Sequence, residues 1–199
     1  MEKIQCPHSA LFAKESRAAG AARGFTVVEL MVVVFILGIL AAFALPSWSG
    51  VMDRNRVSNS FDELSDAINF ARSEAVRRSA AVTLRQGAKL DTCRPAESNN
   101  KKDWSCGWKI FIDANNNKKI DASEPVLREG SEFKGINVMH VGGGADDYIT
   151  FNPSGYANNA PGRFVISPEK AGITSSATTT LCLARTARIR RVPGEVNCQ

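Results

Sequence analysis

One run dominates this chain. Phe25–Leu45 (FTVVELMVVVFILGILAAFAL) is 21 residues long and carries a single charge, Glu29. A helix of that length covers about 30 Å, the thickness of a bilayer's hydrocarbon core. The residues before it are small and polar, with Lys3, Lys14, Arg17 and Arg23 among them. Positive charge on that side predicts a cytoplasmic N-terminus and an exported C-terminal part. A secretory signal would have a shorter apolar run followed by its small-residue cleavage site. Here the small residue, Gly24, precedes the run, so the apolar helix survives processing. An ionised carboxylate within lipid is expensive and therefore implies a partner. A positive group on a neighbouring subunit, such as the α-amino group of Phe25, is the natural one for Glu29.

The remainder suits one domain of ordinary size within the 199 residues, and 44% apolar residues are enough to build a core. A net charge of +5 is mild and does not by itself imply a nucleic-acid partner. Of the five cysteines, Cys6 stands apart near the N-terminus; Cys93, Cys106, Cys182 and Cys198 form two sequence-local pairs. Such pairs read as disulfides in an oxidising compartment, and of the three possible pairings the local one is preferred. Zinc is the rival reading. No pair has the two-residue spacing of a zinc knuckle, and neither His8 nor His140 lies near one.

Gly24-Phe25-Thr26-Val27-Val28-Glu29-Leu30 resembles the prepilin cleavage motif of type IV pilins and type II secretion pseudopilins. The resemblance implies a prepilin peptidase that cuts between Gly24 and Phe25 and methylates the Phe25 amine. It also implies that Glu29 pairs with a neighbour's N-terminus during assembly, and it matches Pro46 to the family's helix-kinking proline. The expected organisation is a cleaved leader at 1–24, a transmembrane and assembly helix at 25–45, and a periplasmic globular domain at 46–199.

After Pro46, apolar residues recur at three- and four-residue steps: Val57, Phe61, Leu64, Ile68, Ala71 and Ala75. This is one stripe of a helix, read as core. Proline removes one backbone donor, so a kink rather than a full stop is expected at Pro46. From Ala81 onward eight short β-like runs follow: 81–85, 108–113, 126–128, 136–141, 148–152, 163–167, 178–184 and 187–192. Glycine, proline and asparagine clusters separate them, as in an antiparallel sheet. Residues 93–103 and 142–147 read as surface loops. The expected fold is α+β: a long N-terminal helix, its first half transmembrane, packed on an antiparallel β-sheet as in type IV pilins. Phe151-Asn152-Pro153-Ser154-Gly155 is similar to the F-x-P-x-G turn of the GspH/FimT group of minor pilins and pseudopilins.

Two further segments carry candidate chemistry. In Asp113–Glu124, the residues Asp113, Asn115, Asn117, Asp121 and Glu124 have the spacing of a calcium loop. Lys118 stands where that loop needs glycine, and the flanks read as strands. The favoured reading is an Asx-rich hairpin without metal, its short polar side chains bonding their own backbone.

The second segment holds Arg185, Arg188, Arg190 and Arg191 inside the Cys182–Cys198 loop. On a strand, Arg188 and Arg190 would share one face, and Arg185 and Arg191 the other. It resembles the G-R-x-R motif of FimT-type pilins, which implies DNA as a partner; Ala187 stands at the motif's glycine. The alternatives are a charge-protected edge strand or a contact to a neighbouring pilin.

No Ser/His/Asp or Cys/His arrangement has workable spacing, and Gly142-Gly143-Gly144 lacks the helix and lysine of a phosphate loop. Neither an enzyme nor a cofactor is expected. The resemblance implies a minor pilin that primes or caps a type IV pilus, or a type II secretion pseudopilin, with a DNA-binding role in transformation as a further alternative. Its implied partners are other pilins, the prepilin peptidase and the inner membrane.

Overall fold

The computed structural model describes residues 24–87, 102–144 and 147–198. The side chains of residues 41–48 lie outside the description. So do the leader, Cys6, Cys93 and most of the loop expected at 93–103. The chain forms two compact units, residues 1–44 and 45–199.

Helix α1, Val27–Arg78, begins in the first unit and ends in the second. Its start is written in four residues, Thr26-Val27-Val28-Glu29. The Thr26 hydroxyl accepts the Glu29 backbone N–H at 3.1 Å, the N-cap half of a capping box. Backbone helix continues through Pro46, whose side chain is among those not described. Its end is a Schellman closure, with Ser79 in the left-handed region (φ 51°). Ala80 N–H bonds Ala75 O at 3.2 Å and Ser79 N–H bonds Val76 O at 3.3 Å.

All six apolar positions read as a stripe are buried, and Ala67 joins them. They form one core with residues from eight strands' worth of sheet: β1 (Val82–Gln86), β2 (Trp108–Ile112), β3 (Val126–Gly130), β4 (Ile136–Gly142), β5 (Tyr148–Phe151), β6 (Gly162–Pro168), β7 (Thr179–Leu183) and β8 (Ile189–Pro193). Each expected strand appears within a residue or two of its place. The strands divide, however, between two four-stranded sheets, ordered β3-β2-β1-β5 and β4-β6-β7-β8. Every pairing is antiparallel. Leu84 and Ile110 of the first sheet, Val138, Phe164 and Leu181 of the second, and Leu64 and Ile68 of the helix belong to the same cluster. Burying one such side chain contributes roughly 1.5–3 kcal/mol.

The Phe151–Gly155 turn fastens the end of α1. Phe151 is fully buried. Asn152 Oδ1 accepts the N–H groups of Ser154 and Tyr156, both at 3.0 Å, closing the turn on itself. Gly155 sits at φ 77° over the helix; a Cβ there would stand 3.1 Å from Val76 Cγ2. Glycine is needed both for the backbone and for the approach.

Candidate functional site

Three regions hold the residues singled out from sequence. The first is the start of α1. From Val27 to Leu40 its large apolar side chains are 44–76% exposed, and Phe25 is 82% exposed. An unbroken apolar surface of this extent requires lipid or protein against it. Glu29 is the acidic residue of the first helical turn, where the helix dipole favours negative charge. Among the described residues no helix is long and apolar enough to cross a membrane; the 21-residue run continues beyond Leu40 into residues whose side chains are not described.

The second is the β7–β8 hairpin. Ala187 N–H bonds Ala184 O at 2.9 Å, and Ala184 N–H bonds Arg188 O at 3.0 Å. Ala187 itself adopts φ 59°. This is a turn closed by a left-handed residue, a place that favours glycine; Ala187 holds it with its methyl buried in the core. Cys182 and Cys198 are disulfide-bonded, with their Cα atoms 5.6 Å apart, as the local pairing requires. Cys106 is also disulfide-bonded; Cys93 is outside the described residues.

Arg188 and Arg190 lie together in a cleft of about 200 Å³, with Pro161, Leu183 and the disulfide around them. The side chains of both are exposed and hold no partner among the described residues. Arg185 and Arg191 do not share a strand face, which corrects the alternation expected. Arg185 belongs to the turn, since β8 begins only at Ile189, and its Nε donates to Ala160 O at 3.4 Å. Arg191 turns to the helix and places its guanidinium 4.3 Å from the centroid of Phe61.

Arg163 is an addition that sequence reasoning missed. It pairs in register with Cys182 on β6 and lines an adjoining hollow with Pro161 and Cys198. Its Nη1 donates to Asn197 Oδ1, while its Nε is buried without a partner. A lone arginine within the apolar strand Gly162–Pro168 was the available signal.

The third region is the Asp113–Glu124 loop. Asp113 is buried and accepts from the Thr83 hydroxyl at 3.0 Å; Thr83 also meets Thr150 at 2.9 Å. Lys118 takes φ 65°, the conformation a calcium loop gives its glycine. Its ammonium lies 3.3 Å from Asp113 Oδ2 and 2.9 Å from Asn116 O. Asp121 Oδ2 accepts from Asn115 at 2.6 Å and Asn117 at 2.8 Å. Glu124 Oε1 accepts the Ala114 N–H at 2.9 Å. The side chains are thus spent on the loop itself. Among the described residues no group of three or more acidic, histidine or cysteine side chains could hold a metal. His140 is a core residue, stacked 4.5 Å from Phe164 and 5.8 Å from Trp104.

Comparison with known proteins agrees with this layout. The family model described as Type II transport protein GspH matches residues 61–191. The prokaryotic N-terminal methylation motif matches residues 20–45. A crystal structure of the type IV minor pilin FimU from Pseudomonas aeruginosa has the same fold, with a TM-score of 0.53 and 24% identity, over 70% of this chain and 90% of that one. The type IV major fimbrial protein FimA of Dichelobacter nodosus is 37% identical over 71 residues, 36% of this chain and 39% of its own length. A fimbrial protein of Pseudomonas aeruginosa is 43% identical over 56 residues, 28% of this chain and 36% of its own. The chain therefore spans less than two-fifths of the length of these curated relatives. The GspH match alone covers well over half of the chain, and with the methylation motif ahead of it the conclusion is plain: this chain belongs to the GspH family of type IV pilins and pseudopilins, which are structural proteins.

Proposed function

We propose that the chain is a minor subunit that primes or caps a type IV pilus. The reading rests on one observation above all: a helix exposing apolar side chains from Val27 to Leu40 around the single charge of Glu29, continuous with a folded α+β domain. A prepilin peptidase cuts after Gly24 and methylates the Phe25 amine. The protein waits in the inner membrane as a single-pass precursor, its domain in the periplasm. On assembly the apolar helix exchanges lipid for neighbouring pilin helices, and Glu29 sets register by pairing with a neighbour's N-terminus. Glu29→Ala is expected to leave the membrane pool intact and to empty the sheared-filament fraction on immunoblots. Normal amounts in filaments would refute the role of Glu29. Membership in the family of the type II transport protein GspH supports a secretion pseudopilus as the alternative machine.

A second reading, DNA capture, is favoured by the arginine cleft. Arg188 and Arg190 face one concavity with no carboxylate among the described residues that line it, an arrangement suited to successive phosphates. Arg188→Ala/Arg190→Ala should weaken binding of duplex DNA by the full chain in detergent, and should reduce the salt slope by about 2. A mobility shift unchanged by the double substitution would exclude this reading.

A further inference from the structure

The cleft of Arg188 and Arg190 has a neighbour. Arg163 lines a second hollow, of about 160 Å³, and the two hollows share Pro161 and Cys198 as walls. The sheet register explains the layout. Arg163 on β6 pairs with Cys182 on β7, and Cys182 pairs with Arg190 on β8. Residues directly opposite one another project from the same face of a sheet. The three therefore form one row. The two arginine backbones stand about 10 Å apart, two strand spacings, with Cys182 and its bond to Cys198 as a ridge between them. Gly142 and Gly162, opposite each other on β4 and β6, line the far hollow without adding a side chain to close it.

Arg163 uses only part of its guanidinium. Its Nη1 donates to Asn197 Oδ1. Its Nε is buried without a partner, and its Nη2 forms no bond among the described residues. Nε and Nη2 make up one edge of the group. With that same edge Arg77 grips the Glu74 carboxylate, at 3.0 Å from Nε and 2.6 Å from Nη2. Two parallel donors match the paired oxygens of a carboxylate or a phosphate. A buried donor left unmet is costly, so the empty edge favours an anion beside it. The described residues lining this hollow include no carboxylate that could serve.

We propose that the hollow is the second half of one anion site, in which Arg163 takes a backbone phosphate through Nε and Nη2 across the disulfide from Arg188 and Arg190. The half-buried side chain turns to present that edge, and the nucleic-acid backbone straddles the bond. The inference rests on the DNA-capture reading above and adds a third phosphate contact to it. Asn197 is a positioning residue: anchored through the adjoining Cys198, it holds the guanidinium by Nη1 and leaves the other edge to the ligand. No aromatic side chain is among the described residues lining either hollow. Bases thus find no stacking platform, and the contact is with the backbone alone, without regard to sequence.

The test is a salt series of duplex DNA binding by the full chain in detergent, with circular dichroism of each variant to confirm its fold. Arg163→Gln should lower the salt slope by about 1, and by about 3 when combined with Arg188→Ala/Arg190→Ala. Arg163→Lys keeps the charge and loses the fork, so the slope should hold while binding weakens several-fold. Asn197→Ala removes the tether but no charge, and should likewise weaken binding at an unchanged slope. A slope untouched by Arg163→Gln, while the double substitution still lowers it, overturns the third contact and leaves the DNA reading standing. So does an Arg163→Lys variant that binds as tightly as the parent chain. A slope lowered as far by Asn197→Ala as by Arg163→Gln also overturns it, because the arginine would then act only by anchoring the tail. A shift unmoved by Arg188→Ala/Arg190→Ala, or no shift at low salt, removes this proposal together with the reading it rests on.

Discussion

Lys118 shows how one side chain redirects a loop. Its sequence neighbours have the spacing of a cation site, and its own backbone adopts the left-handed turn that such a site requires. The cation supplied is its own ammonium, set against the buried Asp113. Lys118→Ala therefore leaves that carboxylate with the Thr83 hydroxyl and the residue 118 backbone N–H as donors. Removing one partner of a buried charged group costs about 1–3 kcal/mol, and the partial exposure of Lys118 argues for the lower half of that range. Chemical denaturation should show the loss; an unchanged midpoint would mean that the pair contributes nothing. Lys118→Gly should lose less than Lys118→Ala, because glycine removes the penalty of a positive φ, about 1 kcal/mol. The spacing of this loop was legible from sequence. That a lysine would adopt the left-handed conformation was not, since nothing local forbids it from sitting in an ordinary turn. Ala187 presents the same case: the turn demands a glycine-like backbone, and burial of its methyl in the core offsets part of the strain.

At the scale of elements, the end of α1 is a charged clasp. Glu74 Oε2 accepts from Arg77 and Arg78, both at 2.6 Å. Those bonds hold its carboxyl well below the usual range, down to about 2. A depressed carboxylate stabilises the fold above its unfolded value of 4.5, and that contribution is lost as pH falls toward about 2. Glu63 works in the opposite sense. Burial raises its carboxyl, so its contribution is full in acid and fades as pH rises through the raised value. Glu74→Gln should therefore flatten the decline of Tm between about pH 4.5 and pH 2 relative to the parent chain. Parallel profiles for the two proteins would show that the clasp is solvent-screened to nothing, since Arg77 is 63% exposed.

The helix stripe and the eight strands could be read from periodicity because each is a local pattern. The separation into two sheets could not. It depends on β5 pairing with β1 and β4 pairing with β6, choices made by contacts far apart in sequence. Arg163 escaped notice for the same reason: only the β6–β7 register brings it to the disulfide.

Over the whole molecule, the disulfide ties the C-terminal tail to the arginine cleft, whose strands β7 and β8 also pair in register. It holds β8 and the following tail to β7, and Asn197 to Arg163. Cys182→Ser/Cys198→Ser should lower stability by about 3 kcal/mol, the expectation for a closed loop of this size, and should loosen the tail in amide exchange. Retention of full protection in residues 194–198 would show that the sheet holds the tail without the bond. A subunit of a filament that is pulled also meets load. Strand β8 is the outer strand of its sheet and the one from which the domain would unzip. With residues 16 apart covalently joined, peeling that edge releases no free chain between them, withholding about 55 Å of extension. Tension reaching the C-terminal edge must then break the sheet at another seam, and the domain yields as a stiff clip with little slack.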